Sequence, residues 1–277
     1  MIFFDNHLHL RREGRYLDAV REFQNVGGTH LILCQYPMPG IVLKEQSYQS
    51  CYQETIRMAD EIRATVGIGV FTVVGPYPVD ILPLQEKFGR ETAIAIMKKG
   101  MEEASVLCKE QKCIALGEIG RPHFPVNQQI FQDSNDIMMY GMQIAKDVGV
   151  PVVLHTESTT PAQCKELVEL GKKVGLKAEK IIKHFAPPLI TPEENYGLMP
   201  SVLSTKKNIV EALGKGARFL METDYIDDLR RPGAVLGPKT VPKLTKNLLA
   251  ENIMTEQQAH RIHVENPQSI YDIKLED

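Results

Sequence analysis

The chain contains no tryptophan, and aromatic residues make up only 6% of it. A base-stacking platform for single-stranded nucleic acid is therefore poorly provided for. Positive charge is not in excess either: 32 Lys+Arg stand against 35 Asp+Glu, a net charge of −3. That excludes a global basic footprint for nucleic acid. No apolar run approaches the roughly 18 residues of a membrane span. Charged and polar side chains recur from Asp5 onward, so neither a membrane helix nor a secretory leader is expected. Five cysteines, an odd number without metal-knuckle spacing, point to reduced thiols in the cytoplasm rather than a disulfide framework. No linker, low-complexity tract or short repeat divides the 277 residues, which are 43% hydrophobic and 24% charged. That is ample material for a globular core.

What is present is an alternation. Short apolar runs predict strands at Ile2–Asp5, Thr29–Gln35, Val66–Val74, Ile114–Glu118, Val150–His155, Lys180–Phe185, Gly197–Leu203 and Arg218–Asp224. Amphipathic stretches lie between them, with Leu17, Val20 and Phe23, or Ile137, Tyr140, Ile144 and Val148, at helical spacing. Thr160-Pro161-Ala162-Gln163, Thr191-Pro192-Glu193-Glu194 and Thr255-Glu256-Gln257-Gln258 each read as a capping box. Eight β-α units in 277 residues give 277/8, about 35 residues per unit, which suits one (β/α)8 TIM barrel spanning 1–277. A doubly wound open sheet is the alternative, but no glycine-rich phosphate turn follows the first strand.

The first strand runs into Asp5-Asn6-His7-Leu8-His9. Residues i and i+2 of an extended backbone point to the same side, so His7 and His9 can aim both imidazoles at one point. In a barrel, catalytic groups sit at the C-terminal ends of strands. Those ends carry His7 and His9, then Glu118, His155, His184 and Asp224. One polar residue at a strand end is unremarkable. Four histidines and two carboxylates at the same end fit two divalent metals sharing one bridging carboxylate.

The same residues carry a family resemblance. His7-Leu8-His9, Gly117-Glu118-Ile119-Gly120, the His155 and His184 strands and Glu222-Thr223-Asp224 resemble the successive motifs of the TatD family, metal-dependent barrels of the amidohydrolase superfamily. Val264-Glu265-Asn266-Pro267-Gln268-Ser269-Ile270-Tyr271 resembles that family's C-terminal helix motif. The resemblance implies metal-dependent hydrolysis, with deoxyribonuclease the best-known activity. It also implies that His7 and His9 bind one metal, His155 and His184 the other, that Glu118 bridges, and that Asp224 is a ligand beside the attacking water.

Four departures accompany the likeness. Glu157 stands where the family usually has arginine, and Phe185-Ala186-Pro187-Pro188 where it has a small-residue turn. Arg121-Pro122 replaces Leu-Asp, and Gly75-Pro76-Tyr77-Pro78 replaces Gly-x-His-Pro. Ligands are kept while substrate-facing positions change, so hydrolase is better supported than nuclease.

Arg121, Arg230, Arg231 and Lys239 are expected on loops of the active face, where they would hold a phosphate or carboxylate. His123 and Tyr77 are further substrate-side candidates. His260 and His263 read as a surface or packing face, Cys108 and Cys113 as buried thiols, and Lys172, Lys173, Lys177, Lys180 and Lys183 as a solvated connection. Zinc or manganese is favoured by four imidazoles, with magnesium, which prefers oxygen, behind them. The expected substrate is a small phosphate ester or a DNA end, with no membrane or protein partner. An amide or lactone is the alternative, and a non-catalytic metal-binding scaffold is disfavoured by the intact ligand set.

Overall fold

The apolar runs become nine strands: β1 Phe4–His9, β2 His30–Cys34, β3 Gly69–Val74, β4 Ala115–Gly120, β5 Val152–His155, β6 Ile181–Ala186, β7 Met199–Leu203, β8 Leu220–Glu222 and β9 Tyr225–Ile226. The structure is a computed structural model and describes residues 1–275. All pairings are parallel, in the order β8-β7-β6-β5-β4-β3-β2-β1-β9. β9 follows β8 after only Thr223 and Asp224, yet it pairs with β1 through Leu8↔Tyr225 and His9↔Ile226. One end of the chain thus returns to the other and the sheet curls into the (β/α)8 barrel.

Twelve α-helices cover it: α1 Leu17–Asn25, α2 Pro39–Glu45, α3 Gln49–Val66, α4 Ile81–Phe88, α5 Arg90–Lys109, α6 Gln128–Val148, α7 Pro161–Lys173, α8 Pro192–Asn195, α9 Lys206–Lys215, α10 Thr240–Ala250, α11 Glu256–His260 and α12 Asn266–Tyr271. Capping boxes form at Thr160, Thr191 and Thr255, each satisfying first-turn amides that would otherwise lack partners. No helix among the described residues is long and apolar enough to cross a membrane.

Strand bounds differ from the sequence expectation where periodicity is silent. β1 runs on through His9 because its polar end is buried, and β3 begins at Gly69 because α3 keeps Val66. The eighth strand is cut to three residues, and Asp224 beyond it takes φ +47°.

The core has two layers. Phe4, Ile32, Val73, Ala115, Val153, Ile182, Met199 and Leu220 form one buried cluster with Ile270 and Tyr271. One residue from each of eight strands can meet only inside the barrel, so the C-terminal helix plugs the floor. The outer layers lie between strands and helices, as with Leu116, Leu154 and Ile181 against Met142 and Leu167. Each such side chain contributes about 1.5–3 kcal/mol on burial.

His263, between α11 and α12, staples the floor. Its Nδ1 accepts the Phe4 N–H at 3.2 Å, and its Nε2 meets Thr245 Oγ1 at 2.9 Å. Thr245 in turn donates to the Val241 carbonyl. Burial lowers the His263 pKa from 6.5 to about 4. The folded value lies below the unfolded one, so this neutral imidazole stabilises fully above pH 6.5 and loses that contribution as pH falls toward 4. Gln at this position can keep both hydrogen bonds without titrating. Urea unfolding of His263→Gln should therefore weaken less between pH 7 and 4.5 than that of the unsubstituted protein. Parallel midpoints for the two proteins would show that His263 does not carry the effect.

Candidate metal centre

Three strands break register where they carry the candidate ligands. The pairing shifts between Asp5 and Leu8 in β1, between Gly117 and Ile119 in β4, and between Lys183 and Ala186 in β6. Such irregularities re-aim a side chain that a regular pleat would fix. His7, Glu118 and His184 sit at these breaks, all buried.

The six candidate side chains converge at the C-terminal mouth. His7 and His9 bring their Nε2 atoms 3.1 Å apart. Glu118 Oε1 lies 2.7 Å from His184 Nε2, 3.0 Å from His155 Nδ1 and 3.6 Å from His7 Nε2, while its Oε2 is 3.5 Å from His9. Asp224 Oδ1 is 3.8 Å from His7 Nε2 and 3.7 Å from His9 Nε2. Two triads, His7/His9/Asp224 and His7/Glu118/His184, each hold their donor atoms within 4.8 Å of one another.

Partners behind these groups fix their orientation. His9 Nδ1 faces the Cys34 and Gln35 carbonyls, both at 3.2 Å, which must accept from it and leave Nε2 bare toward the carboxylates. His7 Nδ1 meets Cys34 Sγ at 3.2 Å. His184 Nδ1 is buried without a hydrogen bond and stands 3.5 Å from Glu222. Glu222, itself fully buried, accepts from Phe185 N–H at 2.6 Å and from the Ser201 hydroxyl. Asp5 accepts from the Thr223 amide and hydroxyl at 3.0 and 2.6 Å, anchoring the turn that presents Asp224.

The electrostatics describe a cluster that wants positive charge. Burial lowers His7 and His9, and brings His155 to about 4. Burial also raises Asp224 well above the carboxylate range, against the pull of His184. Glu118 resists its burial: His184 and His155 hold it well below its ordinary value. His184 is likewise penalised by burial, yet Glu118 raises it to about 10. A single imidazolium thus carries the counter-charge of a buried acidic cluster. Four imidazoles and two carboxylates around one point form a donor set suited to first-row divalent ions, and the bare His9 Nε2 fits that use.

Above the cluster opens a cavity of about 600 Å³. Tyr36, Pro37, Tyr77, Phe185 and Ile226 supply apolar wall, while His123, Thr156, Ser158 and Arg231 add polar groups. Tyr77 and His123 both face His155 Nε2, at 3.5 and 2.9 Å. Arg231 reaches the cavity while paired to Asp228 at 3.2 Å.

Arg121 corrects a sequence expectation. Its guanidinium is fully buried, bound to Glu157, Glu166 and Asn135, and does not line the cavity where a substrate anion would sit. Arg230 pairs with Asp228 and Lys239 with Glu22, and neither lines the cavity. Lys183 is also corrected: it is buried, donating to the His184 carbonyl, rather than solvated. Tyr36 and Cys34 were not singled out by sequence; Phe185 appeared only as a departure in the turn after His184, and Glu222 only as the acid two residues before Asp224.

The comparisons with known proteins agree with this geometry. An uncharacterised protein of Methanocaldococcus jannaschii is 35% identical over 275 residues, covering 98% of this chain and 96% of that one. Solved structures share the fold at low identity. The Escherichia coli phosphotriesterase homology protein, complexed with phosphate in its active site, matches with TM-score 0.63 and 12% identity, over 97% of this chain and 98% of its own. A mutant PTE-like lactonase from Deinococcus radiodurans gives 0.63 and 13%, over 98% and 95%. YjjV, a TatD homologue from Escherichia coli, gives 0.58 and 15%, over 98% of each chain. The sequence profile described as TatD related DNase matches residues 4–272. With that match running from the first residue of β1 to just past α12, the chain belongs to the TatD-related DNase family.

Proposed function

We propose that this chain hydrolyses a phosphoester of a small molecule at a dinuclear divalent metal centre held by His7, His9, Glu118, His155, His184 and Asp224. The convergence of those six side chains beneath one cavity carries the reading. Two divalent cations would make a water nucleophilic near neutral pH and polarise the phosphoryl oxygen. Glu118, between three imidazoles, would hold both ions with one carboxylate. Asp224, at the rim of the cluster and 7% exposed, is placed to take a proton from the attacking water and return it to the leaving oxygen. Positive charge beside it would lower its pKa and keep it ionised.

The cavity selects for size. Arg231 is the one Lys or Arg among its lining residues, so a strand of DNA would find a single cation where a groove needs several. A compact phosphate ester, or at most a DNA end, fits better. Tyr36, Tyr77 and Phe185 favour a second reading, lactone or amide hydrolysis, because an apolar wall accepts an uncharged acyl substrate as readily as an ester.

Two experiments test the assignment. Ion removal by chelator should lower the unfolding temperature by about 5–10 °C, from a few kcal/mol of linkage spread over a chain of this size. Zinc or manganese should restore it. An unchanged transition in protein shown by elemental analysis to be metal-free would count against the centre. Asp224→Asn should keep its metal and lose roughly 10²–10⁴-fold in turnover on the preferred ester, whereas Glu118→Gln should lose metal. Near-native turnover in fully loaded Asp224→Asn would remove that carboxylate from the mechanism.

A further inference from the structure

Arg121 is the bulkiest of the fully buried side chains. It sits in the loop leaving β4, and its guanidinium touches three other elements. Nη2 and Nε fork onto Glu157 at 2.6 and 3.3 Å, in the loop leaving β5. Nη1 donates to Glu166 of α7 at 2.7 Å and to Asn135 of α6 at 3.1 Å. Phe131 of α6 stacks under the guanidinium plane at 4.6 Å. Gln163 of α7 donates to the same Glu157 oxygen at 3.2 Å.

The backbone adds a further tie. The Arg121 amide donates to the His155 carbonyl at 2.9 Å. That approach requires glycine at 120, where φ is +142° and a Cβ would lie 2.1 Å from the same oxygen. Charge is balanced as well: Arg121 and the buried Lys183, which interacts electrostatically with Glu157, stand against Glu157 and Glu166.

The two loops so joined are cavity wall. One contributes His123, the other Thr156 and Ser158, and His155 lies between them. We propose that Arg121 is a positioning residue for the substrate side of the metal centre: it locks loop 121–127 to loop 156–160 and seats His123 against His155. The proposal deepens the hydrolase reading and rests on it for the identity of the site. A lysine cannot substitute, because one ammonium lacks the planar fork that spans Glu157 while also reaching Glu166.

The test uses the manganese-loaded protein and the variants Arg121→Lys and Glu157→Gln, the second breaking the same two-oxygen fork by leaving one uncharged acceptor should the first fail to fold. Hydrogen exchange should accelerate about tenfold or more in 121–127 and 156–160 while the barrel strands keep their protection. Manganese stoichiometry should not change. With a chromogenic phosphoester or lactone, kcat/KM should fall roughly ten- to a hundredfold, mainly through KM. Adding His123→Ala to Arg121→Lys should cost little more, since both act through one group. Unaltered loop exchange, a uniform loss of protection across the barrel, or full additivity with His123→Ala would each overturn the proposal. If the unsubstituted protein turns over neither ester nor lactone, the hydrolase reading fails instead, and the exchange measurement still decides the positioning role.

Discussion

Buried negative charge at the barrel mouth is the constraint on which the site depends. Glu118 and Asp224 line the cavity, Glu222 and Asp5 are buried beside them, and none is more than 7% exposed. Two unit charges 4 Å apart interact by about 4 kcal/mol at an effective dielectric near 20, and without compensation burial raises Asp224 well above the carboxylate range and Asp5 to about 7. The surrounding histidines compensate only in part. Burial drives three of them toward neutrality, and His184 is raised against its burial by Glu118 and, behind it, Glu222. A divalent cation held by these residues would resolve the conflict: it would let Asp224 and Glu118 stay ionised together and every imidazole stay neutral, the form in which it binds a metal.

The fold supplies this cluster through its irregularities. A regular strand sends alternate side chains into the barrel and toward the helices, and the pure pattern would separate neighbouring ligands by fixed steps. Shifts at Asp5/Leu8, Gly117/Ile119 and Lys183/Ala186 fall at three strands that feed the cluster. The fourth break is sharper. β8 stops at Glu222, Asp224 turns into the left-handed region, and β9 resumes against β1. The same turn that closes the barrel therefore sets Asp224 beside His7 and His9. Strain of this sort in a non-glycine residue persists where surrounding bonds over-determine it, and the two hydrogen bonds from Thr223 to Asp5 do so here.

Much of this was legible in the sequence, for physical reasons. Capping boxes are local, so Thr160, Thr191 and Thr255 could be read without knowing the fold. An apolar run ending in a ligand-type side chain is equally local, and counting such runs led to the barrel and to six residues the structure brings together. Register shifts leave no trace in periodicity, which is why β1 was expected to stop at Asp5 and β8 to reach Asp224. Arg121 was opaque for a related reason. A charged residue after a strand looks like solvated loop, and its burial is decided by Glu157 and Glu166, which lie 36 and 45 positions away. Lys183 misled in the same way: among five spaced lysines it is fully buried, and Lys180 is half-buried on the Ile270 carbonyl.

These two misread cations change what the pocket is. Arg121, paired with Glu157, and Lys183, which donates to the His184 carbonyl, both lie behind the wall, leaving Arg231 as the cation at the opening and aromatic rings on either side. Coulombic attraction to a polyanion requires cations that solvent and ligand can reach, and it weakens with salt. A buried guanidinium contributes rigidity instead. Under the proposed function, selection at this mouth would rest on the shape held between Tyr36, Tyr77, His123 and Phe185, a geometry that discriminates by leaving a poorly fitting substrate's contacts unmade.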